Sequence, residues 1–236
     1  METSYDLYRA IREDATPVEL TVHGRRYTSH QIHPVNEPEP KCLGVSTLTA
    51  LVEYLTKNVD GLTIKDLICH VESHERVTIR SRLMGDFLQR AAYIQANAPA
   101  AACQFAFGQF MTAETMVIKM QACFVDTEGR ALVLAYVGNV REDNVRTTGD
   151  DGITQEITVR SGVANVEAVV LPNPVELCPY RTFNEIAQPS SDFVFRAQKG
   201  PAFALFEADN GAWKGQAMQD IKSFMEDNVP GLQVIA

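Results

Sequence analysis

The sequence predicts an α+β protein that has a mixed, mainly antiparallel sheet or sheets and about four helices. Short runs that alternate apolar and polar residues recur through the chain, which is typical of half-buried strands. Helical spacing occurs in separate segments and does not alternate regularly with strands, as it would in a βαβ protein. A β-rich region also precedes one last amphipathic helix, so we expect a C-terminal helix that follows the sheet strands.

The sequence of the N-terminal part predicts a small arm that is separate from the main domain. Residues 19–35 alternate around a glycine turn, which indicates a β-hairpin. Residues 36–40, reading NEPEP, form a proline-rich connector. We therefore expect a hairpin or arm over residues 1–40 and an α+β domain over residues 41–236, with 139–152 as a candidate point of subdivision.

Three helices are predicted before that point. Residues 46–58 place apolar side chains at i, i+3, i+4 and i+7, with Ser46 or Thr47 as the N-cap. Apolar residues at helical spacing predict a second helix over residues 84–91, beginning with Met84. A third helix begins at Thr112.

Strand signals surround these helices. Residues 67–73 and 76–83 alternate on either side of a His-Glu turn. Residues 132–137 are short and apolar and predict a buried strand, although a helix would give the same run. Residues 139–152 are polar apart from two valines and predict an exposed loop. Strand-like runs then follow at 153–160, 168–171, 175–177, 192–196 and 202–206.

The last helix is predicted from Asn210-Gly211 to Pro230-Gly231, which leaves residues 232–236 as a short tail. Glu207 and Asp209 lie at its entrance. A catalytic carboxylate pair would have this spacing, but acidic residues here also cap free amides at the positive end of the helix dipole. We expect capping, since no partner base or nucleophile accompanies them.

Charge and composition restrict the function classes. The net charge is −9, which disfavours direct nucleic-acid binding, because phosphate neutralisation needs a basic face. The main basic cluster contains Arg76, Arg80, Arg82 and Arg90. No apolar run approaches the roughly 20 residues of a bilayer crossing, so no membrane association is expected. With no leader pattern and five singly spaced cysteines, which we expect to be reduced, a cytoplasmic location is predicted.

Two groups of residues are candidate metal ligands. His70, Glu72 and His74 would share one face of a strand, but three ligands along a flat strand diverge more than a tetrahedral site tolerates. The polar outer face of the strand is the simpler interpretation. Asp150 and Asp151 could hold a divalent cation, yet Asp-Asp-Gly is an ordinary turn sequence. We therefore predict no metal and no cofactor.

The chain contains none of the common catalytic motifs GxxxxGK[ST], GxGxxG, GxSxG and HExxH. A non-enzymatic protein is therefore favoured over an enzyme. The strongest remaining signal is a stretch that combines arginines with aromatics, a composition shared by interface hot spots and by ordinary β cores. As a binding or assembly surface it would comprise Tyr180, Arg181, Phe183, Glu185, Phe193, Phe195, Arg196 and Trp213.

Three segments resemble a family of uncharacterised bacteriophage and prophage proteins, the YfdQ-like family. They read CLGVSTLTALVEYL, QFAFGQFMTAETMVIKM and PNPVELCPYRTFNEIAQPSSDFVFR, and the similarity extends over residues 40–208. It implies a phage origin and a cytosolic role during infection or lysogeny. The family has no established activity, so the resemblance assigns no catalytic or binding residue. The ALFEADNGAW segment and the acidic loop around Asp150 have no counterpart in it.

These observations favour a phage-encoded, non-enzymatic accessory protein that binds a host protein or a small ligand and assembles into a homo-oligomer. Two alternatives remain open. One is a metal-dependent enzyme of unrecognised type that uses clustered carboxylates. The other is an accessory protein of phage DNA replication or recombination that binds single strands through Arg76, Arg80 and Arg82.

Overall fold

A computed structural model describes most of the chain, and every structural statement below concerns the described residues. These are 2–14, 18–22, 25–28, 40–84, 88–100, 104–139, 171–198, 200 and 202–236. The chain divides into two compact units, Met1–Glu39 and Pro40–Ala236. The predicted loop and strands at 140–152, 153–160 and 168–170 lie outside the described residues, as do Asp150 and Asp151.

The first unit contains one helix and one hairpin. Helix α1 spans Glu2–Asp14, and strands β1 (Glu19–Val22) and β2 (Arg25–Thr28) pair antiparallel. The hairpin predicted over 19–35 is therefore present in its first half, whereas residues 29–35 lie outside the described residues. Helix α1 was not predicted. An Arg9–Glu13 ion pair at 3.6 Å, four residues apart, supports it.

The second unit contains the remaining elements. In chain order they are β3 (Leu43–Val45), α2 (Leu48–Thr56), a 3-10 turn (Ile64–Asp66), β4 (Leu67–Ser73), β5 (Arg76–Ser81), β6 (Ala92–Asn97), β7 (Met111–Thr112), α3 (Ala113–Cys123), α4 (Glu128–Asn139), β8 (Val175–Leu177), β9 (Ser191–Gln198), β10 (Ala202–Glu207), α5 (Trp213–Asn228) and β11 (Gln233–Ile235). The strands form two separate sheets, each covered by two helices.

The five-stranded sheet has the order β11-β4-β5-β6-β3. Its central pairs are antiparallel, while β11 and β3 join as parallel edge strands. Helices α2 and α5 pack against it and bury Leu51, Ile79 and Ile221 completely. Thr47 begins α2, since its hydroxyl oxygen accepts a hydrogen bond from the Ala50 N–H at 3.2 Å, as the sequence predicted.

The four-stranded sheet has the order β7-β10-β9-β8 and is antiparallel throughout. Helices α3 and α4 pack on it around a second core rich in phenylalanine. Thr112 caps α3 by accepting from the Thr115 N–H at 3.3 Å, again as predicted. Phe193 and Phe203 are fully buried here, Phe193 because alternate residues of β9 face this core and Phe203 within a run of three buried residues of β10.

The predicted α+β class is confirmed. Both sheets are mostly antiparallel, and within the described residues the second unit has four α-helices, the last of which follows the β-rich region. In this part of the chain, every helix falls short of the length and apolar character that a bilayer crossing requires.

Three local predictions were wrong. The helix predicted over 84–91 is absent at its described residues, Met84 and 88–91, since Met84 bridges Gln89 and Leu88 has a left-handed φ of 52°. Residues 132–137 belong to helix α4 and not to a strand. The predicted tail at 232–236 contains β11, whose Val234 pairs with Cys69 of β4.

Candidate functional site

A cleft of about 920 Å³ opens where loops from both sheets meet in the second unit. Its walls come from the β4–β5 turn, the segment after β6, the end of α3, the segment after β8 and the start of α5. Arg181 and Trp213 contact each other at its polar wall, and we call it the Arg181–Trp213 cleft. Phe105 and Phe107 form an apolar part of the lining.

Arg181 stacks on the indole of Trp213. The guanidinium carbon lies 3.8 Å from the ring centroid, and both side chains are largely buried, with 11% of the arginine and 7% of the tryptophan exposed. A cation over an aromatic face is attracted by the ring's negative π surface, more strongly when water is excluded. The tryptophan therefore holds the arginine in one orientation.

The arginine is also fixed by hydrogen bonds. Its Nη1 pairs with Glu207 Oε1 at 3.2 Å, and its Nη2 donates to the Pro189 carbonyl at 3.3 Å and to the Ser191 hydroxyl. Its Nε is buried without a partner among the described residues. Burial lowers the pKa of Arg181 to about 10, against the opposing effect of Glu207 and Asp209, so the group stays cationic at neutral pH.

Asp209 connects this network to helix α5. It accepts from the Ser191 hydroxyl at 2.6 Å and from the Gly211 N–H at 3.1 Å. Burial alone would raise the pKa of Asp209, but the Ser191, Gly211 and Trp213 hydrogen bonds and the Arg181 charge together lower it. The predicted capping role is thus confirmed for Asp209. It is wrong for Glu207, whose carboxylate pairs with Arg181 instead.

His74 contacts the same tryptophan from the β4–β5 turn. Its ring lies edge-on to the Trp213 indole, with 4.7 Å between centroids and 80° between planes. The Thr182 hydroxyl donates to the His74 carbonyl at 2.5 Å, which ties the turn to the segment that carries Arg181. Burial lowers the pKa of His74. The charges of Lys214 and Arg181 lower it further, whereas Glu75 raises it, and the imidazole is neutral at pH 7.

The eight residues of the predicted binding or assembly surface are dispersed. Phe183 is buried in the five-stranded-sheet core, and Phe193 and Phe195 are buried in the other core. Aromatics of this kind fit a β core as well as a contact surface, and the packing places all three in the cores. The predicted surface is therefore wrong for these three residues.

The other members reach the surface to different degrees. Tyr180 is 43% exposed, whereas Glu185 and Arg196 are half-buried. Glu185 accepts from the Thr49 N–H at 3.3 Å and so supports the first turn of α2. Only Tyr180, Arg181 and Trp213 of the predicted eight line the cleft.

The candidate metal ligands on β4 are used differently. His70 and Glu72 lie together as predicted, with 3.9 Å between His70 Nδ1 and Glu72 Oε1. A β-bulge between Val71 and Ser73 precedes the turn that carries His74, and the His74 ring packs against Trp213 instead. Glu72 accepts from Arg80 and Thr78, each at 2.7 Å. Among the described residues, no group of three or more histidine, cysteine or carboxylate side chains is placed to hold a metal ion.

Cys123 at the end of α3 also lines the cleft, and it is disulfide-bonded. The expectation of five reduced cysteines is therefore wrong at this position, while Cys42, Cys69 and Cys178 are free thiols. Cys103 lies outside the described residues. Because disulfides are rare in reducing compartments, the cysteines no longer favour a cytoplasmic location.

Sequence reasoning missed most of the cleft. Lys214, Glu75 and the Phe105/Phe107 pair come from three separate segments, and no spacing in the chain connects them. The one local signal is the aromatic repeat around Phe105 and Phe107.

Comparison of the chain with protein-family models, with curated proteins and with solved structures finds no match. The resemblance to YfdQ-like phage proteins therefore stays a prediction.

Proposed function

We propose that this chain is a phage-encoded, non-enzymatic accessory protein that acts through ligand binding and homo-oligomeric self-assembly. The phage origin and a site of action in the cytoplasm of the bacterial host rest on the family resemblance alone. A host protein or a small ligand is the partner, and the Arg181–Trp213 cleft is where it binds.

The cleft carries this proposal. Its volume of about 920 Å³ is in the range of small-molecule sites, which combine apolar walls with a few fixed polar groups. A catalytic nucleophile is usually a hydroxyl or thiol that is hydrogen-bonded to a histidine or carboxylate side chain. No such hydrogen bond occurs among the described lining residues, where the Thr182 hydroxyl donates to the backbone carbonyl of His74. Rigid, mutually paired polar groups suit recognition of a ligand.

Self-assembly is supported by an exposed aromatic pair at the outer edge of the four-stranded sheet. Phe110 and Phe206 are 42% and 37% exposed, with 6.4 Å between their ring centroids. Strand β7 pairs with Ala202 and Phe203 of β10, and the Gly108 N–H then donates to the Leu205 carbonyl at 2.8 Å, so regular strand pairing ends before Phe206. Exposed aromatic side chains beside a sheet edge are suited to contact with a second copy.

The two alternatives gain no such support. The Glu72 carboxylate, a candidate ligand of a metal enzyme, is occupied by Arg80 and Thr78. The same ion pair neutralises one of the arginines proposed to bind single-stranded DNA, and Arg76 donates to Asn97.

Light scattering after size exclusion tests the assembly. We expect the wild-type chain at micromolar concentration to exceed the monomer mass, and the Phe110→Ser/Phe206→Ser double variant to shift towards it. Leu83→Ser is the matched control, because Leu83 is similarly exposed at 51% and lies on another part of the unit. A wild-type chain whose measured mass equals that of the monomer would contradict the self-assembly part of the proposal.

A further inference from the structure

Two cations, Arg181 and Lys214, and two carboxylates, Glu75 and Glu207, line the Arg181–Trp213 cleft. Arg181 and Lys214 both lie over the indole of Trp213, the latter with its ammonium 5.7 Å from the ring centroid. In the described part of the chain, the Lys214 ammonium forms no hydrogen bond or ion pair, and the buried Arg181 Nε has no acceptor. These two donors beside one ring are therefore left unsatisfied.

The nearby carboxylates are partnered or screened. Glu207 pairs with Arg181 and offsets its charge, and Asp209 accepts from Ser191 and from Gly211 before α5. Glu75 is 66% exposed and lies 3.6 Å from the neutral His74 ring, so water and salt screen it. The Lys214 ammonium is therefore the cation of the wall that no carboxylate engages among the described residues, and the His74 imidazole contacts the same indole.

Another part of the lining is apolar. Phe105 and Phe107 are half-buried, stand 4.9 Å apart and continue inward to Phe124 of the second core. A ligand that fills the cleft would therefore have one end at the cations and an uncharged body against these rings. Charge-assisted bonds fix the orientation of such a ligand, and burial of its body supplies most of the affinity.

From this arrangement we propose that the cleft binds small amphipathic anions, with a carboxylate or phosphate group at Arg181 and Lys214 and an apolar body against Phe105 and Phe107. This inference rests on the proposed binding function and specifies its ligand class. Carboxylate and phosphate share the recognising chemistry, and the experiment separates them.

The only tryptophan of the chain reports on the site directly. Cyclohexanecarboxylate, cyclohexyl phosphate, cyclohexanemethanol and cyclohexanemethylamine do not absorb at 295 nm, so each can be titrated while Trp213 emission is followed. We expect both anions to bind, the alcohol to bind about tenfold more weakly and the amine more weakly still, because charge-assisted hydrogen bonds are lost. Raising the salt concentration should weaken only the anions. The tighter of the two anions identifies the preferred head group.

Variants locate the effect. Lys214→Met should weaken anion binding about three- to fivefold and leave the alcohol unchanged, since an exposed charge contributes modestly. Lys222→Met is the matched control on the same helix, because Lys222 pairs with Glu226 and does not line the cleft. Arg181→Lys keeps the charge but loses the fork geometry, and should cost about tenfold or more.

The outcomes are distinct. Equal affinity for the alcohol and the anions, or an unchanged anion affinity in Lys214→Met, overturns the anionic ligand class while ligand binding itself stands. No emission change with any of the ligands, confirmed by calorimetry, overturns both the ligand class and the cleft as a binding site.

Discussion

Helix α4 approaches strand β8 so closely that only glycine fits at position 129. A Cβ built on Gly129 would lie 2.1 Å from the Glu176 carbonyl oxygen, where real Cβ contacts stay beyond 3.0 Å. Gly129→Ala therefore forces the helix and strand apart by about 1 Å, and backbone on both sides resists that movement.

The expected cost follows from two opposing effects. Alanine in a helix is favoured over glycine by up to about 1 kcal/mol, while overpacking a tight contact costs about 1–3 kcal/mol. Gly138→Ala on the same helix gains the first effect without the second, since no described atom lies within 4 Å of its Cβ position. We expect Gly129→Ala to be about 2 kcal/mol less stable than Gly138→Ala.

Urea unfolding followed by Trp213 emission and far-ultraviolet circular dichroism measures this difference. The midpoints should separate while the slopes stay equal. Coincident midpoints for the two alanine variants would show that the close approach of α4 to Glu176 does not exist in solution.

Two further predictions concern the core and the capping network. Leu177→Ala should lower the free energy of unfolding by about 2–5 kcal/mol, because Leu177 is fully buried. Leu83→Ala should lower it by less than about 1 kcal/mol, because Leu83 is 51% exposed. Equal calorimetric melting temperatures for the two variants would contradict this. Asp209→Asn should cost about 1 kcal/mol at pH 7 as a lost charged cap. The folded pKa of Asp209 lies below its usual 3.8, so its contribution to stability is complete above about pH 4 and is lost as the pH falls through the folded pKa. A difference in unfolding free energy between wild type and variant that stays constant down to pH 2 would refute the assignment.

The elements that the sequence predicted correctly are those whose signals are local. Helix α2 has both an apolar stripe and a threonine cap, and β4 alternates buried and half-buried residues from Leu67 to Val71 before a two-residue turn joins it to β5. Each signal lies within about a dozen residues, so no distant contact was needed to interpret it.

The errors arose where tertiary contacts decide the conformation. Residues 132–137 are apolar on several sides because α4 is packed between α3 and β8, and a buried helix then gives the same run as a buried strand. Strand β11 has only three residues, and its conformation depends on parallel pairing with a strand from the first third of the chain.

The candidate site was the least predictable part for the same reason. Arg181 and Trp213 were both identified as binding residues, but the sequence placed them in one strand-rich surface with Phe193 and Phe195. The structure instead joins them to His74 through a tryptophan contact between distant loops. Alternation along a strand indicates that half of its residues are buried, but it does not identify the loops at its ends that meet.

The five-stranded sheet is discontinuous in the chain, and this affects how the protein is made. Strands β3 to β6 leave the ribosome first, but β11 and α5 follow only after the whole four-stranded sheet has been synthesised. Until then the outer edge of β4 is unpaired and part of the apolar face around Ile79 is uncovered. The sheet therefore closes through contacts of high sequence separation, which slow folding and leave a period in which the nascent chain is prone to aggregate.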